Sequence, residues 1–217
     1  NVTDMNSAFK LTPDFNQDLS AWDTSSVTDM KYMFYGSGMT RVSFSDTSKV
    51  TDMKYMFWQA TSLSSVSLPK TGAVENMKYM FYGATAIESV NLPETGNVTD
   101  MESMFAKASK LATVSLPETG NVTTMEGMFN DATSLTSVNL PQTGNVTTME
   151  AMFGGAAALT SVSLPTTGKV TSMVNMFRLA TKLSSVSFSD TSSVIYMNLM
   201  FWQATSLSSV SLPHAGN

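Results

Sequence analysis

Cysteine is absent from the 217 residues, so neither a disulfide framework nor a cysteine-based zinc site exists. Histidine occurs once, at His214, and there is no constellation of paired carboxylates, so the chain carries no visible catalytic machinery and is not expected to be an enzyme. Charged residues make up only 13%, and the formal net charge of −5 leaves no basic stripe for a phosphate backbone, which argues against nucleic acid. No apolar run approaches the roughly 18 residues that would span a bilayer. Nor does the start resemble a signal peptide, since Asn1 opens directly on a repeat, and the expectation is a segment cut from a longer chain. These absences suit a polar-surfaced, extracellular module that needs no metal or cofactor.

What is present is self-similarity, which takes precedence over any count of domains by length. A Val followed by Met three positions later recurs at Val2, Val27, Val50, Val74, Val98, Val122, Val146, Val170 and Val194. The first interval is 25 residues, the second 23 and every later one 24. Nine consecutive units without a linker imply one repeat domain over residues 1–217.

Within a unit, numbering the Val as position 0, apolar residues fall at 0, 3, 6, 7 and 10, as in Val98, Met101, Met104, Phe105 and Ala108. That spacing predicts a short amphipathic helix. Thr99 with Glu102, Thr123 with Glu126, and Thr147 with Glu150 have the form of capping boxes at its start. Glycine at position 9, as in Gly36 and Gly83, suits a helix that stops after two or three turns. The second half changes period: in LSSVSLP, Val66 and Leu68 alternate with Ser65 and Ser67, and Pro69 ends the run. This predicts a short strand with one apolar face. The expected fold class is therefore α/β, a leucine-rich-repeat-like solenoid of nine helix-strand units with one parallel β-sheet about 40 Å long.

LxxVxLPxT resembles the leucine-rich repeat pattern, with Thr71, Thr95, Thr119, Thr143 and Thr167 in the place of its asparagine ladder. The motifs VTDMKYMFYGS from Val27 to Ser37, VTDMESMF from Val98 to Phe105, and FNQDLSAWDTSSVTDM from Phe15 to Met30 resemble the BspA-like bacterial surface protein repeats, a divergent leucine-rich repeat family. One departure is position 10, often Cys in that family and Ala in most units here. The resemblance implies a cell-surface protein of bacteria, or of microbes that acquired such genes, with adhesion or host-matrix binding as its role. VSFSDTS followed by MFWQATSLSSVSLP occurs twice, over residues 42–69 and 186–213, an offset of 144 residues or six units. A block duplication explains it, and implies a natural chain that continues beyond Asn217.

Several motifs are better explained by the repeat than by chemistry. Seventeen of the 18 methionines occupy positions 3 and 6, where flexible thioethers fill a core. NVT sequons at Asn1, Asn97, Asn121 and Asn145 place Asn beside a capping Thr, as local hydrogen bonding favours. Asp14, Asn16 and Asp18 form DxNxD, but Leu19 stands where a calcium loop has glycine and Ser25 where it has glutamate, so no metal is assigned.

Positions 4, 5, 8 and 9 vary most between units and lie away from the apolar stripe, and positions 4, 5 and 8 stand out. In three units they carry Lys31, Tyr32 and Tyr35, then Lys54, Tyr55 and Trp58, then Lys78, Tyr79 and Tyr82. Stacking of units would bring these nine residues into one exposed patch, the candidate ligand-binding site. The alternative is that the tyrosines merely pack turn against turn. Further along, the same columns become Glu102, Ser103 and Ala106, then Glu150, Ala151 and Gly154, an acidic surface of different character. The strands offer another face, small hydroxyls and amides such as Ser65, Ser67, Ser89 and Asn91. The leading expectation is an adhesin or binding scaffold for a protein or glycan partner. A structural stalk that associates end to end is the alternative, and ice binding by the hydroxyl rows a third, although ice-binding solenoids favour Thr over Ser.

Five segments, starting at Leu68, Leu92, Leu116, Leu140 and Leu164, match the LPxTG signal read by sortases, but none is followed by the hydrophobic segment and basic tail such a signal needs. Each residue already has a place in the repeat. Incubation of the folded protein with a sortase is expected to leave it intact by mass spectrometry; cleavage at any of the five threonines would restore the signal reading.

Overall fold

The computed structural model describes residues 2–213 and shows a parallel-strand β-solenoid with about seven strand-bearing turns. The strands are β1 (Arg41–Ser43), β2 (Ser65–Ser67), β3 (Ser89–Asn91), β4 (Thr113–Ser115), β5 (Ser161–Leu164), β6 (Ser185–Phe188) and β7 (Ser209–Ser211). They form three short sheets, β1-β2, β3-β4 and β5-β6-β7, each parallel and in register so that Val42 faces Val66, Val90 faces Val114 and Val162 faces Val186. In every named strand but β2 and β7 the central or alternate apolar residues are buried, while the flanking Ser, Thr and Asn remain mostly outside. The strand half of the repeat thus follows its period-two pattern. The single continuous sheet and the nine strand-bearing units are both corrected: among the described residues seven strands form, in three sheets, because the strand half of the other units does not pair as a named strand.

The helical half is corrected outright, because no helix occurs among the described residues. Positions 3 to 10 instead form a ribbon of overlapping turns. In the third repeat Met56 N–H donates to Met53 C=O (3.2 Å), Trp58 N–H to Tyr55 C=O (3.2 Å) and Ala60 N–H to Phe57 C=O (3.1 Å). The intervening N–H groups point out of the turn: Met53, Tyr55, Phe57 and Gln59 donate to Asn76, Lys78, Met80 and Tyr82 of the next one at 2.7–3.1 Å. Each turn bond spans three residues, and the inward-facing pairs it closes, Met53 with Met56 and Phe57 with Ala60, are buried and fall at positions 3, 6, 7 and 10, which is why this ribbon and an amphipathic helix read alike in sequence.

The alternation requires left-handed backbone at two columns. Position 5 has φ of 50–58° in Ser7, Tyr32, Tyr55, Tyr79, Ser103, Gly127, Ala151, Asn175 and Leu199. Position 9 has φ of 54–73°, and there glycine recurs at Gly36, Gly83 and Gly155. For bulky residues such as Tyr this conformation costs about 1 kcal/mol or more each, offset by the inter-turn bond that the N–H of Tyr32, Tyr55 and Tyr79 each makes. Position 2 links its neighbours by isolated parallel bridges running from Asp4 through Asp29, Asp52, Asn76, Asp100, Thr124, Thr148 and Ser172 to Tyr196.

The proposed capping boxes do not form. Thr99, Thr123 and Thr147 donate their hydroxyls to the carbonyls of Glu75, Thr99 and Thr123 in the preceding turn at 3.1–3.2 Å. Phe rings at position 7 stack from Phe9 through Phe34, Phe57, Phe81, Phe105, Phe129, Phe153 and Phe177 to Phe201 at 5.2–5.7 Å. The methionines at positions 3 and 6 surround this stack, and nearly all are fully buried. On the far side Thr71, Thr95, Thr119 and Thr143, all 0–1% exposed, donate to the carbonyls of Glu94, Glu118, Gln142 and Thr166 in the following turn. The five LPxTG leucines are likewise 0–3% exposed.

Thr119→Val removes one such donor and leaves the part-buried Gln142 carbonyl short of a partner, a loss of about 1 kcal/mol. Urea unfolding followed by circular dichroism is expected to show a lower midpoint for Thr119→Val and a near-normal one for Thr119→Ser, which keeps the hydroxyl.

Candidate functional site: an aromatic ladder and the groove at its end

Since consecutive turns stack in register, like side chains meet. Tyr32, Tyr55 and Tyr79 form a face-to-face stack, with centroids 4.9 and 5.0 Å apart and planes within 6°. Tyr35, Trp58 and Tyr82 run beside them edge to face, at 5.1 and 5.3 Å. Trp58 ties the columns together, lying 5.0 Å from Tyr55 and 5.9 Å from Tyr79. Each ring pair adds roughly 0.5–1.5 kcal/mol beyond area burial.

The lysines line the same edge. Lys31 pairs with Asp29 (2.9 Å) and Asp52 (3.9 Å). Lys54 Nζ sits 5.1 Å from the Tyr55 ring centroid. Lys78 Nζ is 5.4 Å from that of Tyr79 and pairs with Glu102, whose other oxygen accepts the Tyr79 hydroxyl at 2.8 Å. All nine residues expected of the patch come together, but with a correction: they lie on the turn ribbon, not on a helix face, and every one is half-buried. The ring faces are largely spent on one another, so the packing alternative describes most of the ladder's interior. The Trp58 indole N–H is buried without an acceptor.

The ladder stops after Tyr79 and Tyr82. In the next turns its columns hold Ser103 and Ala106, then Gly127 and Asn130, then Ala151. The missing rings leave a groove of about 490 Å³ bounded by Tyr55, Trp58, Tyr79 and Tyr82 at one end and by Glu102, Glu126, Asn130 and Ala151 along its length. Glu102 and Ala106 were legible as points where one unit departs from its neighbours. Glu126, Asn130 and two flanking cations were not: Lys10 lies 5.0 and 4.9 Å from the Tyr32 and Tyr35 rings, and Lys107 lies 5.4 Å from Tyr82. Lys10 shares position 8 with Tyr35, and that column could have revealed it.

Electrostatics divide the groove. Burial works against the Lys78 charge, but the hydrogen bond and charge of Glu102, aided by Asp100, hold its pKa above the ordinary value. Burial and the bond to Glu102 raise the Tyr79 hydroxyl. The Glu126 carboxyl is raised by desolvation, then by the Glu102 and Glu150 charges, with Lys78 opposing. Its carboxylate has no hydrogen bond or ion pair among the described residues, whereas Glu102 is held by Lys78 and Glu150 accepts from Ser172 Oγ at 2.5 Å.

No group of three or more acidic or imidazole side chains that could hold a metal occurs among the described residues. Asn16 of the DxNxD stretch accepts from the Thr40 N–H (3.0 Å) and hydroxyl (3.1 Å), and Asp18 from Ser20 N–H. Among the sequons, Asn97, Asn121 and Asn145 donate to the carbonyls of Gly72, Gly96 and Gly120 at 2.5–2.7 Å. Asn1 and His214 lie outside the described residues. Most serines and asparagines of the strands are exposed, Ser43 and Ser185 being half-buried, and they are divided among three sheets rather than one array. No helix among the described residues is long and apolar enough to cross a membrane.

A family described as Mycoplasma protein of unknown function, DUF285, matches over residues 1–94, 86–162 and 136–212. The chain belongs to this family. The three overlapping matches cover the DUF285 chain almost end to end, as a periodic sequence allows. Among solved structures it is similar to a leucine rich cell surface protein from Faecalibacterium prausnitzii A2-165, with 16% identity over 100% of this chain and 70% of that one and a TM-score of 0.39. A likeness at that score carries no conclusion about fold or location. No curated protein matches.

A raised carboxyl pKa means that the charged form is disfavoured in the folded state. Its destabilisation is full above the folded pKa and fades as pH falls through the unfolded value of about 4.3. Glu126 is solvent-exposed, so water screens these effects, and Glu126→Gln is expected to raise the thermal midpoint only slightly at neutral pH, with the difference shrinking toward pH 4, in paired melting curves.

Proposed function

We propose that the chain is part of a non-enzymatic binding scaffold of the BspA-like kind, displayed extracellularly at a cell surface, that recognises a protein or glycan partner through the aromatic ladder and its groove. The observation that supports this most is the placement of variation. The turns keep their core and their backbone ladders, and differ chiefly at positions 4, 5 and 8, where half-buried aromatics end abruptly beside an acidic, open-sided groove. A repeat under structural demand alone has no reason to interrupt a stack that stabilises it.

A second reading is a stalk or spacer that associates end to end. Concentration-dependent light scattering distinguishes the two, because a stalk grows while a binding module stays monomeric.

The binding reading is tested with an array of glycans and extracellular-matrix proteins. The combined variant Tyr55→Ser, Trp58→Ser, Tyr79→Ser is expected to lose the captured partner while still melting cooperatively, at a lower midpoint because three stacked rings are gone. Unchanged capture would remove the ladder from the site.

A further inference from the structure

Resting on that reading, the groove itself narrows the partner. The ladder places one ring per turn at about 5 Å, and Tyr79 is the last of its column. Ser103 and Ala106 leave the next place vacant, and Glu126, a solvent-exposed residue, lines the same groove one turn further along. A flat, cationic group satisfies both walls: it stacks on a ring face and donates to a carboxylate.

The solenoid already uses cations in this way. Arg178 places its guanidinium carbon 4.9 Å from the Trp202 centroid, both residues at position 8 of consecutive turns, so a guanidinium takes a ring's place in this register. Lys10 and Lys107 close the two ends of the position-8 column. A sugar platform is less well served, because a glycan needs open ring faces and those of Tyr32 and Tyr55 are stacked on their neighbours.

We infer that the groove beyond Tyr79 receives an arginine side chain of a partner protein, its guanidinium continuing the interrupted ring stack and pairing with the Glu126 carboxylate. Arginine is favoured over lysine because its planar fork can lie against Tyr79 and still present two donors to one carboxylate. The acidic row of Glu102, Glu126 and Glu150 would draw a basic segment to the groove.

Titration of ¹⁵N-labelled protein with a hexa-arginine peptide, a hexalysine peptide and chitohexaose tests this by NMR. The arginine peptide is expected to shift the amides of Ser103, Gly127 and Asn130, with hexalysine weaker and chitohexaose silent. Glu126→Gln should weaken the arginine peptide by about tenfold, the scale of one hydrogen bond to a charged group. Ser103→Tyr should abolish its binding by filling the vacant place, at a backbone conformation Tyr79 already adopts. Equal response to hexalysine, shifts with chitohexaose alone, or undiminished binding by Ser103→Tyr would each overturn the assignment. Chitohexaose shifts at these amides would still leave the ladder as a binding site, whereas silence with all three probes overturns the arginine assignment and leaves the ladder to the array result.

Discussion

The structure depends on one constraint, that each turn must present its outward N–H groups to carbonyls of the next turn in strict register. At positions 3, 5, 7 and 9 the donors face positions 2, 4, 6 and 8 one turn on, and the strands and position-2 bridges continue the same pairing. An unpaired buried backbone group is costly enough that the register cannot drift. The superposition of like side chains follows, even where the interval departs from 24 residues in the first two units. The phenylalanine stack, the methionine lining and the buried threonine row are consequences of that register rather than separate devices.

The same constraint explains how a site arises on so regular a scaffold. A column of identical residues makes a ladder, and a change of residue within a column ends one. Tyr79 followed by Ser103 turns a stack into an edge with a space beside it, without any change of backbone, since φ at position 5 is 57° in the one and 51° in the other. Surface shape and charge can therefore be varied by substitution at a few columns while the hydrogen-bond ladders stay intact. The acidic groove and the cations that close the aromatic columns illustrate this economy.

Much of this was legible in the sequence. The nine-fold recurrence, the strand with its serines outward, the threonine ladder and the assembly of the three Lys and six aromatic residues all follow from residues of one type recurring at one interval. The helix was misread for a physical reason. In overlapping turns closed by i to i+3 bonds, alternate turns have both ends inward, so Met101 with Met104 and Phe105 with Ala108 fit a helical stripe equally well. The apparent capping boxes failed with it, because Thr99 found a better acceptor in the previous turn than within its own.

By itself the sequence determined the period, the identity of the stacked columns and the residues that interrupt them, since these depend only on which side chains recur. Only the tertiary structure decided the backbone of the Met-rich half, the half-burial of the aromatic rings and the meeting of Tyr79 with the space above Ser103. Those features rest on hydrogen bonds and contacts between turns, roughly 24 residues apart along the chain. No local propensity encodes a left-handed tyrosine; the neighbouring turn's carbonyl does.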